Sequence, residues 1–270
     1  MNPSPFRRLL WLAIVLCAGP ALAVAVPDLC RAPEDVAGVV TSLPHVAAAL
    51  KPGRRLDVLA VGSATMFGLE GSLPPGGIAT QPTGPLVPQP FTRDASERAF
   101  PRQMAKELQA AVPGAEVRVT VRGGRGLLAA DMLAMMRAEL AARPYQLVIW
   151  QTGTVEAVRN TPPGEFAQTL SVGAEAVQAA NADLVLVDAQ FSRFLQTNTN
   201  MDPYEQALQQ VAAMPDVLLF RRYDLMRSWV NDGQIDLERT PKADQQKMVE
   251  TLHACLGVHL ARLVLGAARS

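Results

Sequence analysis

Five short apolar runs, separated by stretches of helical periodicity, restrict this chain to an α/β fold. The runs occupy residues 56–61, 116–122, 146–151, 183–188 and 216–220. The first, Leu56-Asp57-Val58-Leu59-Ala60-Val61, stops abruptly at Gly62-Ser63-Ala64-Thr65. The second alternates apolar and polar residues, as a less buried strand does. Between the runs, helices are expected over 100–112, around Leu128, Met132, Met135 and Met136, over 165–180 and over 203–213. A last helix carries Met248, Leu252, Cys255, Leu256, Leu260 and Leu263 at i, i+3/i+4 spacing. Strands that alternate with helices predict a parallel sheet covered on both faces and joined by right-handed crossovers.

The expected architecture is therefore a three-layer α/β/α domain of the flavodoxin-like kind with a five-stranded parallel sheet. Residues 31–55 read as a short helical lead-in. Residues 72–92, rich in Pro and Gly, read as a long irregular loop at the carboxyl end of the first strand. No linker, repeat or charge block divides the chain, so residues 24–270 are expected to form one domain.

The N-terminus carries Arg7 and Arg8, an apolar run and Ala21-Leu22-Ala23, the three regions of a secretory signal peptide cleaved after Ala23. An uncleaved anchor is the alternative, and Pro20 and the small residues before Val24 favour cleavage. Leu16 stands where a lipoprotein signal needs a small residue, so Cys17 is not read as a lipid site. No second apolar run approaches membrane-spanning length, and a periplasmic or secreted protein with no membrane span is expected. Loss of residues 1–23 removes two arginines and no acids, taking 25 basic and 25 acidic residues to 23 and 25. A net charge near −2 offers no footprint for nucleic acid or an anionic membrane surface. Cys30 and Cys255 remain. In an oxidising compartment the pair is expected to form a disulfide between the mature N-terminus and the last helix, with two buried thiols as the alternative.

Four segments converge at the carboxyl ends of the strands: Gly62-Ser63-Ala64-Thr65, Arg122-Gly123-Gly124-Arg125-Gly126, Gly153-Thr154-Val155-Glu156 and residues 242–248. Their order and spacing resemble the blocks of the SGNH/GDSL hydrolase superfamily, with Trp150-Gln151-Thr152-Gly153-Thr154 and the start of the last helix adding to the likeness. The resemblance runs from about Cys30 to the end of the chain. It implies a nucleophilic serine two residues after the first-block glycine, and Ala64 stands there. It implies an oxyanion-hole N–H at Gly123, which is retained. It implies an oxyanion-hole asparagine where Val155 stands. It implies an Asp-x-x-His pair where Asp244 and Lys247 stand.

A methyl at position 64 cannot attack a carbonyl. An ammonium beside Asp244 is a poor base near neutral pH. Loss of one oxyanion donor alone costs roughly a hundred- to a thousandfold in turnover. His45, His253 and His259 are read as packing residues, since His45 precedes the first strand and His253 lies about 240° round the helix from Lys247. Glu156 and Arg125 are read as solvated charges on the pocket rim, and a Lys247–Asp244 ion pair is expected to close the pocket.

The expectation is an exported pseudohydrolase that binds an acylated or carbohydrate-like envelope ligand, or a protein partner, through Gly62, Ser63, Gly123, Gly153 and Thr154. The alternative is an active esterase using Ser63 or Thr65, whose hydroxyls are otherwise explained by hydrogen bonds within the turn. No cluster has metal-ligand spacing, and no cofactor is implied.

Overall fold

The computed structural model describes residues 24–33, 42–68, 88–92 and 94–269. The expected signal peptide and most of the 72–92 loop lie outside the described residues. The strands are β1 (Arg55–Ser63), β2 (Gln89–Pro90), β3 (Glu116–Arg125), β4 (Leu147–Gln151), β5 (Asp183–Val187) and β6 (Val217–Phe220). The helices are α1 (Pro44–Ala49), α2 (Phe100–Ala111), α3 (Ala129–Ala142), α4 (Thr154–Arg159), α5 (Pro163–Ala179), α6 (Arg193–Asn198), α7 (Asp202–Val211), α8 (Arg222–Asn231) and α9 (Gln245–Ala267).

Among the described residues the sheet runs β2-β3-β1-β4-β5-β6 and has six strands, one more than expected. The extra strand is antiparallel: Gln89 and Pro90 pair with Arg125 and Gly124. Two residues in a Pro-rich stretch carry no strand periodicity, so β2 depends on β3 for its existence.

Strand alternation sorts the core into two halves. Leu56, Val58, Ala60, Leu147, Ile149, Val185, Val187, Leu218 and Phe220 point to one face, where α1, α2, α8 and α9 cover them. Leu59, Val61, Val148, Trp150, Leu184, Leu186 and Val217 point to the other, under α3, α5 and α7. Because both faces are covered, β1, β4 and β5 are apolar almost throughout and bury nearly every residue. This is why each appeared in the sequence as an unbroken run.

The long helix α9 packs along α2 on the first face. Gly257 permits the approach, since a Cβ there would lie 2.4 Å from the Gln103 Cβ. By length and composition α9 is long and apolar enough to cross a bilayer, contrary to the sequence expectation, but 67% of its most apolar window is buried within the fold. Cys255 of α9 is bonded to Cys30, with Cα atoms 5.1 Å apart. His259, one turn further on, makes a 2.7 Å hydrogen bond through Nε2 to the carbonyl of Cys30. The expected staple between N-terminal segment and last helix is thus present.

Candidate functional site

β1 is paired with β3 on one side and β4 on the other, so chain connections leave β1 in opposite directions. In an open α/β sheet a crevice opens at such a switch point, outside the carboxyl ends of the strands. The residues there are Ser63 at the end of β1, the 3₁₀ turn Ala64–Phe67 that follows, Gln151 at the end of β4 and the Gly123-Gly124 pair of β3.

Gly62 and Gly123 are register partners. A Cβ on Gly123 would lie 1.8 Å from the Gly62 carbonyl oxygen, and its φ of +146° is open to glycine but not to other residues. Strand β1 can therefore approach β3 closely at the crevice. The expected first and second blocks meet as the sequence suggested.

Ser63, Thr65 and Gln151 form a closed ring. Gln151 Nε2 donates to Ser63 Oγ at 2.7 Å, and Thr65 Oγ1 donates to Gln151 Oε1 at 2.8 Å. The Ser63 and Thr65 hydroxyls lie 3.2 Å apart. Since the Thr65 proton goes to Gln151, the Ser63 proton goes to Thr65. Thr65 Oγ1 also accepts from Arg222 Nη1 at 3.2 Å. Among the described residues, no imidazole or carboxylate hydrogen-bonds to either hydroxyl. Ala64 sits half-buried between them.

The third block lies beside β4. Gly153, at φ +99°, precedes α4, and Thr154 and Val155 are half-buried in its first turn. Glu156 is not the solvated rim charge expected from the sequence: it is 1% exposed. Its carboxylate accepts the N–H of Gly153 at 2.9 Å and that of Ala129 at the start of α3. It joins two helix N-termini, where a negative charge is favoured. Burial pushes its pKa up, against the pull of those N–H donors. Arg125 is exposed, as expected.

Asp244 and Lys247 are exposed at the start of α9, and no ion pair forms between them. They make no hydrogen bond to the Ser63–Thr65–Gln151 ring. The helix reaches the crevice with other residues. Leu252 and His253 line a cavity of about 50 Å³ together with Thr65, Phe100, Arg222 and Met226. His253 Nδ1 accepts the N–H of Phe100 at 3.2 Å, and the two rings stack with centroids 6.0 Å apart. Burial, then the nearby Arg222 charge, lowers the His253 pKa to about 4, so the ring is neutral at neutral pH. His259 and half-buried His45 lie away from the ring of hydroxyls.

Sequence reading missed Arg222, Asp188 and Glu205. Arg222 is 1% exposed, and its Nε and Nη2 have no hydrogen-bond partner. Burial lowers its pKa to about 10, which leaves it charged at neutral pH. Asp188, 2% exposed at the end of β5, accepts the N–H of Tyr223 at 2.9 Å. Burial, and then the Glu205 charge, raises its pKa well above the usual carboxylate range. Glu205, on α7, is raised to about 7, mainly by burial, against the pull of the Ala189 N–H. The two carboxyls behave as a buried pair that holds on to protons. The signal for Arg222 was faint: the pair Arg221-Arg222 follows an apolar strand, with Arg222 the first residue of α8.

The order of elements, the switch-point crevice and the block spacing define an SGNH/GDSL hydrolase-like fold. The non-GDSL lipase-like family matches residues 29–270, and the chain belongs to that family. Solved structures show the same fold at low identity. A two-domain esterase active on acetylated mannans superposes with a TM-score of 0.58 at 13% identity, over 88% of this chain and 57% of its own. An acetyl-xylooligosaccharide esterase from Geobacillus gives 0.57 at 14%, over 80% and 96%. A lipase/acylhydrolase from Enterococcus faecalis gives 0.55 at 14%, over 78% and 96%. No curated protein matches the sequence.

Proposed function

We propose that this protein is an exported pseudohydrolase: it retains the hydrolase crevice, has lost the hydrolytic machinery, and acts by binding. One observation carries the reading. The nucleophile position is a methyl, Ala64, and the hydroxyls on either side of it are tied into a ring with Gln151 that contains no base. A serine attacks only when a neighbouring group takes its proton, and the Ser63 proton is directed at a threonine oxygen. Val155 supplies no oxyanion donor, and Lys247 is exposed.

The ligand we infer is an acylated, carbohydrate-like component of the cell envelope, or a protein partner presenting one. Support comes from the acetylated mannans and acetyl-xylooligosaccharides named for two fold relatives. Export is supported by the signal-like N-terminus and by a disulfide between Cys30 and Cys255.

The test is turnover of p-nitrophenyl acetate and butyrate by the purified protein, with a fluorophosphonate as serine probe. No turnover above background and no labelled serine are expected. Turnover abolished by Ser63→Ala or Thr65→Val would establish the esterase alternative instead.

A further inference from the structure

Strand β3 lies at the border of the sheet, and among the described residues β2 covers only its last two positions, Gly124 and Arg125. The phase of its backbone is fixed at both ends. Glu116 donates its N–H to the Arg54 carbonyl at 3.0 Å, on the β1 side. The Gly123 carbonyl accepts the Phe91 N–H at 2.8 Å, on the open side. Backbone groups alternate sides along such a strand, so Val117, Val119 and Val121 turn theirs to the open side. The Val121 carbonyl accepts Arg122 Nη1 at 3.0 Å. The backbone groups of Val117 and Val119 have no partner there among the described residues. A groove of about 630 Å³ runs beside them, lined by Val117, Val119, Ala105 and Gln109, so α2 does not close the edge.

An open edge is a template for another strand, and proteins ordinarily blunt one with brevity, proline or charge. From Glu116 to Arg122 there is no proline, and the charges are of both signs. Glu116, Arg118 and Arg122 are exposed, and on an antiparallel neighbour side chains stand directly opposite one another. These charges select among the registers open to a second copy of the chain related by a two-fold axis. Pairing centred on Arg118 or Thr120 sets arginine against arginine. Pairing centred on Val121 drives the second copy into β2. Centred on Val117 it stops early, because the chain turns at Pro113 and Gly114. Centred on Val119 it sets Glu116 against Arg122 at both ends, Arg118 against Thr120 and Val117 against Val121. That register opposes no like charges and uses the whole open edge. Glu116 and Arg122 are each engaged at 2.6 Å within the chain, by Arg118 and Glu139. Surface pairs of this kind are weak and exchange at little cost.

We propose that two copies of this chain pair through these edges, antiparallel about Val119, and join their sheets into one. Val117, Val119 and Val121 supply the backbone hydrogen bonds, and the two Glu116–Arg122 crossings fix the register. This surface is independent of whether the crevice hydrolyses or only binds.

Sedimentation velocity of the purified protein, from micromolar to millimolar concentration, tests this. A monomer–dimer equilibrium is expected. Val119→Pro removes an outward N–H without breaking the ladder to β1, and should give a monomer. Glu116→Arg should weaken the dimer about tenfold, because two attractive pairs become repulsive. Adding Arg122→Glu to it should recover most of the affinity. That rescue is specific to the Val119-centred register, and it decides the matter if Val119→Pro does not fold. A monomer at every concentration would overturn the proposal, whether the Val119 amide exchanges quickly with solvent or is protected by some other strand. So would a dimer that survives both Val119→Pro and Glu116→Arg, or one weakened by Glu116→Arg that Arg122→Glu fails to restore.

Discussion

Replacing Glu205 by glutamine should change how stability depends on pH far more than it changes the fold. The Glu205 pKa is raised from 4.5 to about 7 in the folded protein. A raised carboxyl pKa contributes stability that is fully present below pH 4.5 and is lost as pH rises through about 7. The shift corresponds to about 3 kcal/mol. His253 works the other way. Its pKa falls from 6.5 to about 4 on folding, so its contribution is present above pH 6.5 and lost as pH falls toward 4. Between pH 4.5 and 6.5 the two slopes oppose each other.

Glutamine keeps the shape and cannot ionise. In Glu205→Gln the loss due to Glu205 is gone while the contributions of His253, Asp188, Glu156 and Asp183 remain, so the stability of the variant relative to the native protein should climb by about 3 kcal/mol between pH 4.5 and 7. The decline of the native protein toward pH 8 should be reduced, with the remainder due to Asp188. The assay is urea unfolding followed by circular dichroism at half-unit steps from pH 4 to 8. Parallel profiles for the two proteins would refute the reasoning, because they would mean that Glu205 ionises alike in the folded and unfolded chain.

Two further outcomes follow from the geometry. Removing both Cys30 and Cys255 opens a loop spanning 225 positions, which in the chain-entropy account costs about 5 kcal/mol; urea midpoints with and without reductant measure it, and equal midpoints would contradict it. Gly123→Ala places a methyl against the Gly62 carbonyl at positive φ, so a loss of at least about 3 kcal/mol is expected in thermal or urea melts, and a protein as stable as the native one would show that β1 and β3 are not so close.

Much of the layering was legible because burial on both faces leaves a strand with almost no polar residue, and such runs stand out between amphipathic helices. Short elements were not. The two-residue β2 and the six-residue helices α4 and α6 are too brief for periodicity to register. Within the crevice, the spacing of Gly62, Ser63, Ala64 and Gly123 could be read along the chain, and the structure brings these residues together. Glu156 was misread because a carboxylate next to a glycine turn looks solvated until its helix N-termini are placed around it. Asp244 and Lys247 keep the expected spacing, yet the ion pair between them does not form, since both side chains point to solvent.

By itself, the sequence determined the alternation of strands and helices and the side chains at positions 64 and 155, where neither a methyl nor an isopropyl group can act as nucleophile or donor in any fold. Only the tertiary structure decided what the surviving polar groups do. Thr65 meets Gln151 across 86 positions and Arg222 across 157, contacts set by strand register and helix docking rather than by local pattern. The same packing closes the Ser63 hydroxyl into a ring and leaves one edge of a buried guanidinium unpartnered, and no periodicity along the chain encodes either result.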